Sequence, residues 1–369
     1  MRKTIFNLHL YSSLASGLIL VVVGITGCLL VWELTMDRWL DPKVSFVEPR
    51  GETVPYARIL TGLKSTFPGQ QVTVLDLGGP GTSVGARMSG HNQAFRAYVN
   101  PYTGELLGTR SGEPPSFWVR HVHRELIGGN VGVQVVRIAT FLVLFQSLSG
   151  IYLWWPLKRM TVKWSGSFRR VNFDLHHAVG FFSCVFVCII ALTGLVKGYG
   201  DSLQPYFNRL GGVPALNKAL PSTPPLSAGL HPKIGVDDAI ARARMTLPGA
   251  MPARLTLPKG PTGSYLISLK YPGDSTAPGR SYVVVDQYSG QVLGSQDART
   301  APLAAQIPIV NRAIHVGGIW GAPSRVMAFV ATLAVLLQLF TGLVMWWRKR
   351  ASKKPAASIR EATPVSALG

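Results

Sequence analysis

Four apolar runs constrain this chain more than any other feature. Residues 5–34, 133–157, 173–197 and 324–347 each hold enough apolar side chains to cross a hydrocarbon layer of ~30 Å, which takes roughly 20 residues of helix. A soluble core accounts for such runs poorly, and the mean hydropathy is positive at +0.24. The first run starts just after Arg2 and Lys3 and has no small-residue cleavage site before its polar flank, so it reads as a retained span. The expected fold class is therefore an integral membrane protein built on an α-helical bundle of four spans.

Charge then orients the spans. The net charge is +20, a value that in a soluble chain suggests nucleic acid, but the bases sit beside the apolar runs. Arg2 and Lys3 precede the first, Lys158, Arg159, Lys163, Arg169 and Arg170 separate the second from the third, and Arg348, Lys349, Arg350, Lys353 and Lys354 follow the fourth. Such clustering is the positive-inside signature and puts both termini and the middle loop in the cytoplasm. The bases then contact anionic lipid of the bilayer, and no nucleic-acid partner is expected. Two long loops fall on the outer face, periplasmic if the cell is Gram-negative, which makes this a multi-pass protein of the bacterial inner membrane. Cys28, Cys184 and Cys188 all lie in the spans, so no disulfide framework is expected, and they read as small packing residues.

The resulting layout is a first spanning helix over 5–34, an outer domain over 37–120, and a helix end leading into the second span over 121–157. A cytoplasmic loop over 158–172 and a third span over 173–198 follow. The chain closes with a second outer domain over 199–314, a helix end with the fourth span over 315–347, and a basic tail over 348–369. Each outer domain reads as one helix on a small antiparallel sheet, an α+β unit. In the first, apolar helical spacing over 56–67 stops at Pro68-Gly69, and strand-like runs cover 71–77, 83–88 and 95–99 before the turn at Tyr102-Thr103-Gly104. In the second, a helix over 236–247 stops at Pro248-Gly249, and strands over 253–257, 264–271 and 281–286 precede Tyr288-Ser289-Gly290. Residues 211–233 read as an irregular linker rich in Pro and Gly.

The two halves also align residue for residue. His9 precedes Thr26-Gly27 by the spacing at which His176 precedes Thr193-Gly194, and His123 precedes Ser149-Gly150 as His315 precedes Thr341-Gly342. Gln146 matches Gln338, and Trp154-Trp155 matches Trp346-Trp347. An internal duplication follows, with span, outer domain and span occurring twice, as a parallel repeat about an axis along the membrane normal.

Ionisable residues in membrane helices are costly and usually functional. His9 and His176 fall at the cytoplasmic ends of the first and third spans, and His123 and His315 at the outer ends of the second and fourth. Across a twofold axis each histidine faces its counterpart. Two facing neutral imidazoles, with glycines to admit a flat ring, suit a six-coordinate b-type haem. The chain has no Cys-x-x-Cys-His for a c-type haem, and no Cys or carboxylate recurs with the histidines as a zinc site requires. Two haem b groups are expected, one near each face, with His9, His123, His176 and His315 as axial ligands to the iron. The duplication prefers His176 over its neighbour His177, which matches Leu10, and His123 over His121, which matches Ala313; His177 and His121 are second choices. Arg120, Arg124, Arg137, Arg312 and Arg325 near the outer pair, and Arg169 and Arg170 near the inner one, are candidate partners for haem propionates. Gln146 and Gln338 read as hydrogen-bonding groups between helices, and His91 and His231 as surface histidines.

On these residues the chain resembles the PepSY-associated transmembrane proteins, which include iron-regulated membrane proteins and ferric-siderophore reductases. The resemblance rests on Leu8-His9 with Thr26-Gly27, Val122-His123-Arg124 with Gly128 and Trp154-Trp155, Leu175-His176 with Gly180 and Thr193-Gly194, and Ile314-His315 with Gly317 and Thr341-Gly342. Tyr102-Thr103-Gly104-Glu105 and Tyr288-Ser289-Gly290-Gln291 are similar to the signature turn of PepSY modules. It implies two periplasmic PepSY-like domains and a di-haem ferric-chelate reductase that delivers electrons outward, one at a time, to ferric siderophore and releases Fe(II). No Gly-x-Gly-x-x-Gly is present, so the electron donor is expected to be a quinol or a separate cytoplasmic reductase. The competing expectations are a PepSY membrane scaffold that binds a partner or regulates a peptidase, and a haem electron-transfer subunit of another enzyme.

Overall fold

A computed structural model of the chain describes residues 1–90, 93–211, 220–222, 234–274 and 278–351. His91, His231, most of the Pro- and Gly-rich linker, and the tail beyond 351 lie outside the described residues. The chain begins with α1 (Arg2–Val31), α2 (Glu33–Leu40), α3 (Pro42–Ser45) and α4 (Tyr56–Thr66). Strands β1 (Gln71–Asp76), β2 (Val84–Gly90), β3 (Gln93–Val99) and β4 (Leu106–Ser111) lead to α5 (Pro115–Glu125), α6 (Gly129–Trp154), α7 (Phe168–Gly198) and α8 (Gly200–Gly211). Then come α9 (Val236–Thr246), β5 (Met251–Thr256), β6 (Ser264–Lys270), β7 (Ser281–Asp286), β8 (Val292–Gln296), α10 (Leu303–His315) and α11 (Ala322–Ala351).

Among the described residues four helices, α1, α6, α7 and α11, are long and apolar enough to cross a membrane, as fits a multi-pass membrane protein. They carry exposed apolar side chains outward, among them Leu18, Val131, Phe182 and Phe340. α1 and α7 each pack against both α6 and α11, which places α1 diagonal to α7 and α6 diagonal to α11. Small residues bring the helices close: a Cβ on Gly24 would lie 2.7 Å from the Leu336 side chain.

The remaining strands form one antiparallel sheet in the order β4-β3-β2-β1-β5-β6-β7-β8. The helix-and-sheet units expected for the two loops meet edge to edge, because β1 pairs with β5 through Val74–Thr256, Leu75–Leu255 and Asp76–Arg254. Strand alternation sends Leu75, Ala86, Ala97, Leu255, Ile267 and Val283 to one face, where α4 and α9 cover them with Ile59, Leu63, Ala239, Ile240 and Ala243. All are nearly or fully buried, and each large aliphatic side chain so placed stabilises the unit by about 1.5–3 kcal/mol. The opposite face of the sheet looks toward the ends of the spanning helices. α3 lies across it with Val44 against Gly108, and the hairpin joining β6 to β7 meets the α10–α11 turn around Gly273, Ala313 and Gly318.

The helices after each half of the sheet differ from expectation. His123 and His315 were expected at the outer ends of the second and fourth spans, but they sit on the separate helices α5 and α10. α5 stops where Leu126 and Ile127 turn to φ of 50° and 58°, and Gly129 to 54°. Gly132 makes the reversal fit, since a Cβ there would lie 1.7 Å from the Glu125 carbonyl oxygen. α10 ends similarly before Gly317 at φ 68°, whose missing Cβ leaves room for the Ser324 carbonyl and Ala328.

Candidate functional site

Each of the four matched histidines meets a hydroxyl and a glycine of another helix. His9 Nδ1 lies 2.9 Å from Ser149 Oγ, and His176 Nδ1 lies 2.8 Å from Thr341 Oγ1. His123 Nδ1 lies 3.1 Å from Thr26 Oγ1, and His315 Nδ1 lies 3.2 Å from Thr193 Oγ1. The glycine after each hydroxyl then faces the ring, with the Cβ position of Gly150, Gly342, Gly27 and Gly194 at 3.4, 3.4, 3.3 and 3.1 Å from the Cε1 of His9, His176, His123 and His315. A Cβ would only touch the ring at Gly150 and Gly342, but at Gly27 and above all Gly194 it would crowd the imidazole.

The hydroxyls also fix the tautomer. Ser149, Thr341, Thr26 and Thr193 each donate to the carbonyl one turn earlier in their own helix, at 2.7, 2.8, 2.7 and 2.7 Å. Their oxygens are therefore acceptors, and each histidine donates from Nδ1–H. For His123 and His315 the carbonyls of Val23 and Ile190, at 3.0 and 3.1 Å, accept from the same atom. Nε2 is left in every ring as the nitrogen with a free lone pair, the form that binds a metal.

The bundle gathers these rings at its two ends. At the sheet end the His123 and His315 ring centres are 6.4 Å apart with an angle of 55° between planes. At the far end His9 and His176, on diagonal helices, lie within electrostatic reach of each other. Two asparagines support the second half: Asn172 donates to the Thr341 carbonyl and Asn311 to the Thr193 carbonyl, each at 3.0 Å. Asn172 and Asn311 stand four residues before His176 and His315, on the same helix face, a pattern visible in the sequence and missed there. Gln338 donates to the His176 carbonyl at 2.9 Å and Gln146 to Ser16 Oγ at 3.1 Å, so both glutamines do bridge helices.

The second-choice histidines have other partners. His177 packs at a tilt on Phe173, with ring centres 4.1 Å apart, and His121 pairs with Glu125 and packs on Phe117. The arginines divide likewise. Arg120, Arg124 and Arg312 gather at the sheet end with Lys197, which sequence reasoning did not single out. Arg120 is paired with Glu33, and burial together with the Arg312 and Arg124 charges pulls its pKa below the usual arginine value. Arg137 is committed to the Gly198 carbonyl and the Tyr199 ring, 4.3 Å away. At the far end Arg170 and Arg159 grip the fully buried Asp174 at 2.7 and 3.0 Å, while Arg169 is exposed and Arg325 has no polar side-chain contact among the described residues.

A family model described as PepSY-associated TM region matches residues 6–349. No curated protein matches the chain.

Proposed function

We propose that this chain, which belongs to the PepSY-associated TM region family, is a di-haem b oxidoreductase of the bacterial inner membrane. Electrons cross it one at a time to reduce ferric iron, held by a siderophore or another ferric chelate, on the side of the sheet. In this reading each half of the chain is one copy of a duplicated unit, the α4–β4 and α9–β8 units are the two periplasmic PepSY-like domains, and both termini are cytoplasmic.

The observation that carries the proposal is the fourfold recurrence of an imidazole held at Nδ1 by a hydroxyl and at Cε1 by a glycine. Such a cradle fixes the tautomer of the neutral ring and leaves the lone pair on Nε2, the nitrogen that would hold a metal. The separation of His123 and His315 fits the same purpose. Their ring centres lie 6.4 Å apart, close enough that both side chains would hold the same group. Two side-chain donors per site suit a metal whose other ligands come with it, as in haem.

His9 and His176 would hold one haem and His123 and His315 the other; when bound, haem supplies the one-electron couple. Arg120, Arg124, Arg312 and Lys197 supply cationic donors for propionates at the sheet end, and Arg169 does so at the far end. Thr26, Thr193, Ser149 and Thr341 keep the ligand rings from rotating, and the apolar faces of the bundle exclude water. Ferric iron is the substrate: one added electron gives Fe(II), which hard oxygen donors hold less strongly. The donor of electrons is a quinol or a cytoplasmic reductase.

The haem-to-protein ratio of the purified chain tests this. Two haems per chain are expected, with loss of about one on His315→Ala or His176→Ala and of both in the double variant. A chain that carries no Soret band when expressed with ample haem would remove the redox function and leave a PepSY scaffold as the better account.

A further inference from the structure

The helix that carries His123 cannot hold its own register. α5 spans 11 residues between its Pro114-Pro115 start and the break at Leu126 and Ile127, so no spanning helix continues into it. A lone helix shorter than about 12 residues is marginal in water, and one residue of rotation, about 100°, would carry His123 away from Thr26 and Gly27. Contacts from outside α5 must therefore fix it.

α2 supplies them with acidic side chains at a four-residue interval. Glu33, Asp37 and Asp41 stand at i, i+4 and i+8, on one face of a helix. Glu33 pairs with Arg120, Asp37 accepts the Ser116 amide at 3.1 Å and the Ser116 hydroxyl as well, and Asp41 lies 3.9 Å from Arg110 on β4. On α5, Ser116, Arg120 and His123 are i, i+4 and i+7 and share a face too. The acidic stripe thus continues the contact that holds the ligand, in antiparallel order: His123 on Val23 and Thr26 of α1, then Arg120 on Glu33 and Ser116 on Asp37 of α2.

Asp37 also does what the start of α5 cannot. A helix leaves its first amides without partners, and Pro114 at the N-cap has no side-chain acceptor to offer. Ser116 is 1% exposed, so water does not reach its amide. The Asp37 carboxylate takes that amide and places negative charge where the helix dipole favours it. The second half carries no carboxylate at the aligned positions, where Gly200 and Gln204 match Glu33 and Asp37. There the helix of His315 is held by Asn311 on the Thr193 carbonyl, at 3.0 Å.

We propose that Glu33 and Asp37 are positioning residues for the sheet-end site: they clamp α5 in one register against α1 and α2, and so aim the His123 Nε2 lone pair at the group it would share with His315. The proposal rests on the ligand role given to His123 under the proposed function and adds the residues that place that ligand.

The Nδ1–H resonance of His123, in the haem-free full chain labelled at histidine and held in lipid discs, tests the clamp with no cofactor present. In the parent this proton should be hydrogen-bonded and slow to exchange. In E33A/D37A its exchange should quicken at least about fivefold, the scale of one helix cap, while the His9 and His176 protons keep the parent's rates. D37N, which retains an oxygen for the Ser116 amide, should stay close to the parent. After haem loading, the ferric low-spin signal that His315→Ala removes should shift in E33A/D37A, because such a signal reports the angle between the two ligand rings; the signal that His176→Ala removes should not. An unchanged His123 proton in a folded E33A/D37A chain overturns the proposal, as does an unmoved sheet-end signal. Equal quickening at His9 and His176 overturns it too, by marking a general loosening of the bundle. Should E33A/D37A not fold, the two single variants carry the test, each expected to quicken the His123 proton about threefold; unchanged exchange in both overturns it. A chain that takes up no haem removes the haem reading, and the His123 resonance still decides the clamp.

Discussion

A glycine that backs a ring limits the size of side chain its position can take. Gly194 is the tightest of the four cradles, with its Cβ position 3.1 Å from His315 Cε1 and 3.5 Å from Thr140 Cγ2. Valine there overpacks the contact, which costs about 1–3 kcal/mol where nothing yields, and strains the hydrogen bonds that hold the His315 ring. On the proposed di-haem reading, Gly194→Val is therefore expected to lower haem content from two to about one per chain by emptying the sheet-end site, with Gly342→Val emptying the far site. Optical spectra of the two variants, with the remaining haem identified by a second substitution of its own histidine, check this. Retention of two haems in both variants would mean that the glycines serve helix packing alone.

Among the elements, the β7–β8 turn is held by a single buried carboxylate. Asp286 Oδ1 accepts from the Tyr288 and Ser289 amides, each at 2.8 Å, and from Ser289 Oγ at 3.1 Å. Burial by itself raises the Asp286 pKa, but the bonds from Ser289 and Tyr288 outweigh it and hold the group below its usual value. A pKa lower in the fold than in the unfolded chain, where it is about 3.9, means that this stabilisation is complete above pH ~4 and fades as pH falls through the folded value. Amide protection of β7 and β8 should thus weaken in acid, and Asp286→Ala should cost roughly 1–3 kcal/mol at neutral pH and flatten that acid dependence. An unchanged acid profile in the variant would place the titration elsewhere. This turn, like the helices over 56–66 and 236–246, was legible in the sequence, because Pro-Gly stops, Tyr-x-Gly turns and period-two alternation are local signals. The break after α5 was not. Leu126 and Ile127 are apolar, non-glycine residues, and nothing in their type announces a positive φ; Gly128, Gly129 and Gly132 were the only warning. The histidine cradles were half legible. His9 and Thr26 were noticed as a spaced pair, yet the interval places them roughly 25 Å apart along one helix, so they serve opposite ends of the bundle. Thr26 holds His123, and Ser149 holds His9, contacts between distant segments that no spacing within one helix reveals.

At the scale of the whole molecule, the two α+β units are joined more firmly than two loops on separate helix pairs need be. The β1–β5 ladder makes their sheets continuous, and Asp76 clasps Arg96 from one unit and Arg254 from the other. A third link caps a helix across the junction. α4 begins at Pro55 without a side-chain cap of its own, and Asp237 of α9 accepts the Tyr56 and Ala57 amides at 2.9 Å each. Two amides that would otherwise lack partners at a helix N-terminus are thereby satisfied by the other unit. The β6–β7 hairpin in turn meets the α10–α11 turn around Gly273, Ala313 and Gly318, so the joined sheet is tied to the helix that carries His315. Asp237→Ala should lower stability by about 1 kcal/mol, the usual worth of such a cap. The substitution alters no group at the histidine sites, so haem content should be unchanged. Asp76→Ala should add to this, because it removes the clasp and leaves Arg96 and Arg254 facing one another. Hydrogen exchange across both units distinguishes a coupled pair from independent ones: in the double variant, protection should fall together in α4 and β5, on opposite sides of the junction. Loss confined to α4 would show that the two units unfold separately and that the continuous sheet does not couple them.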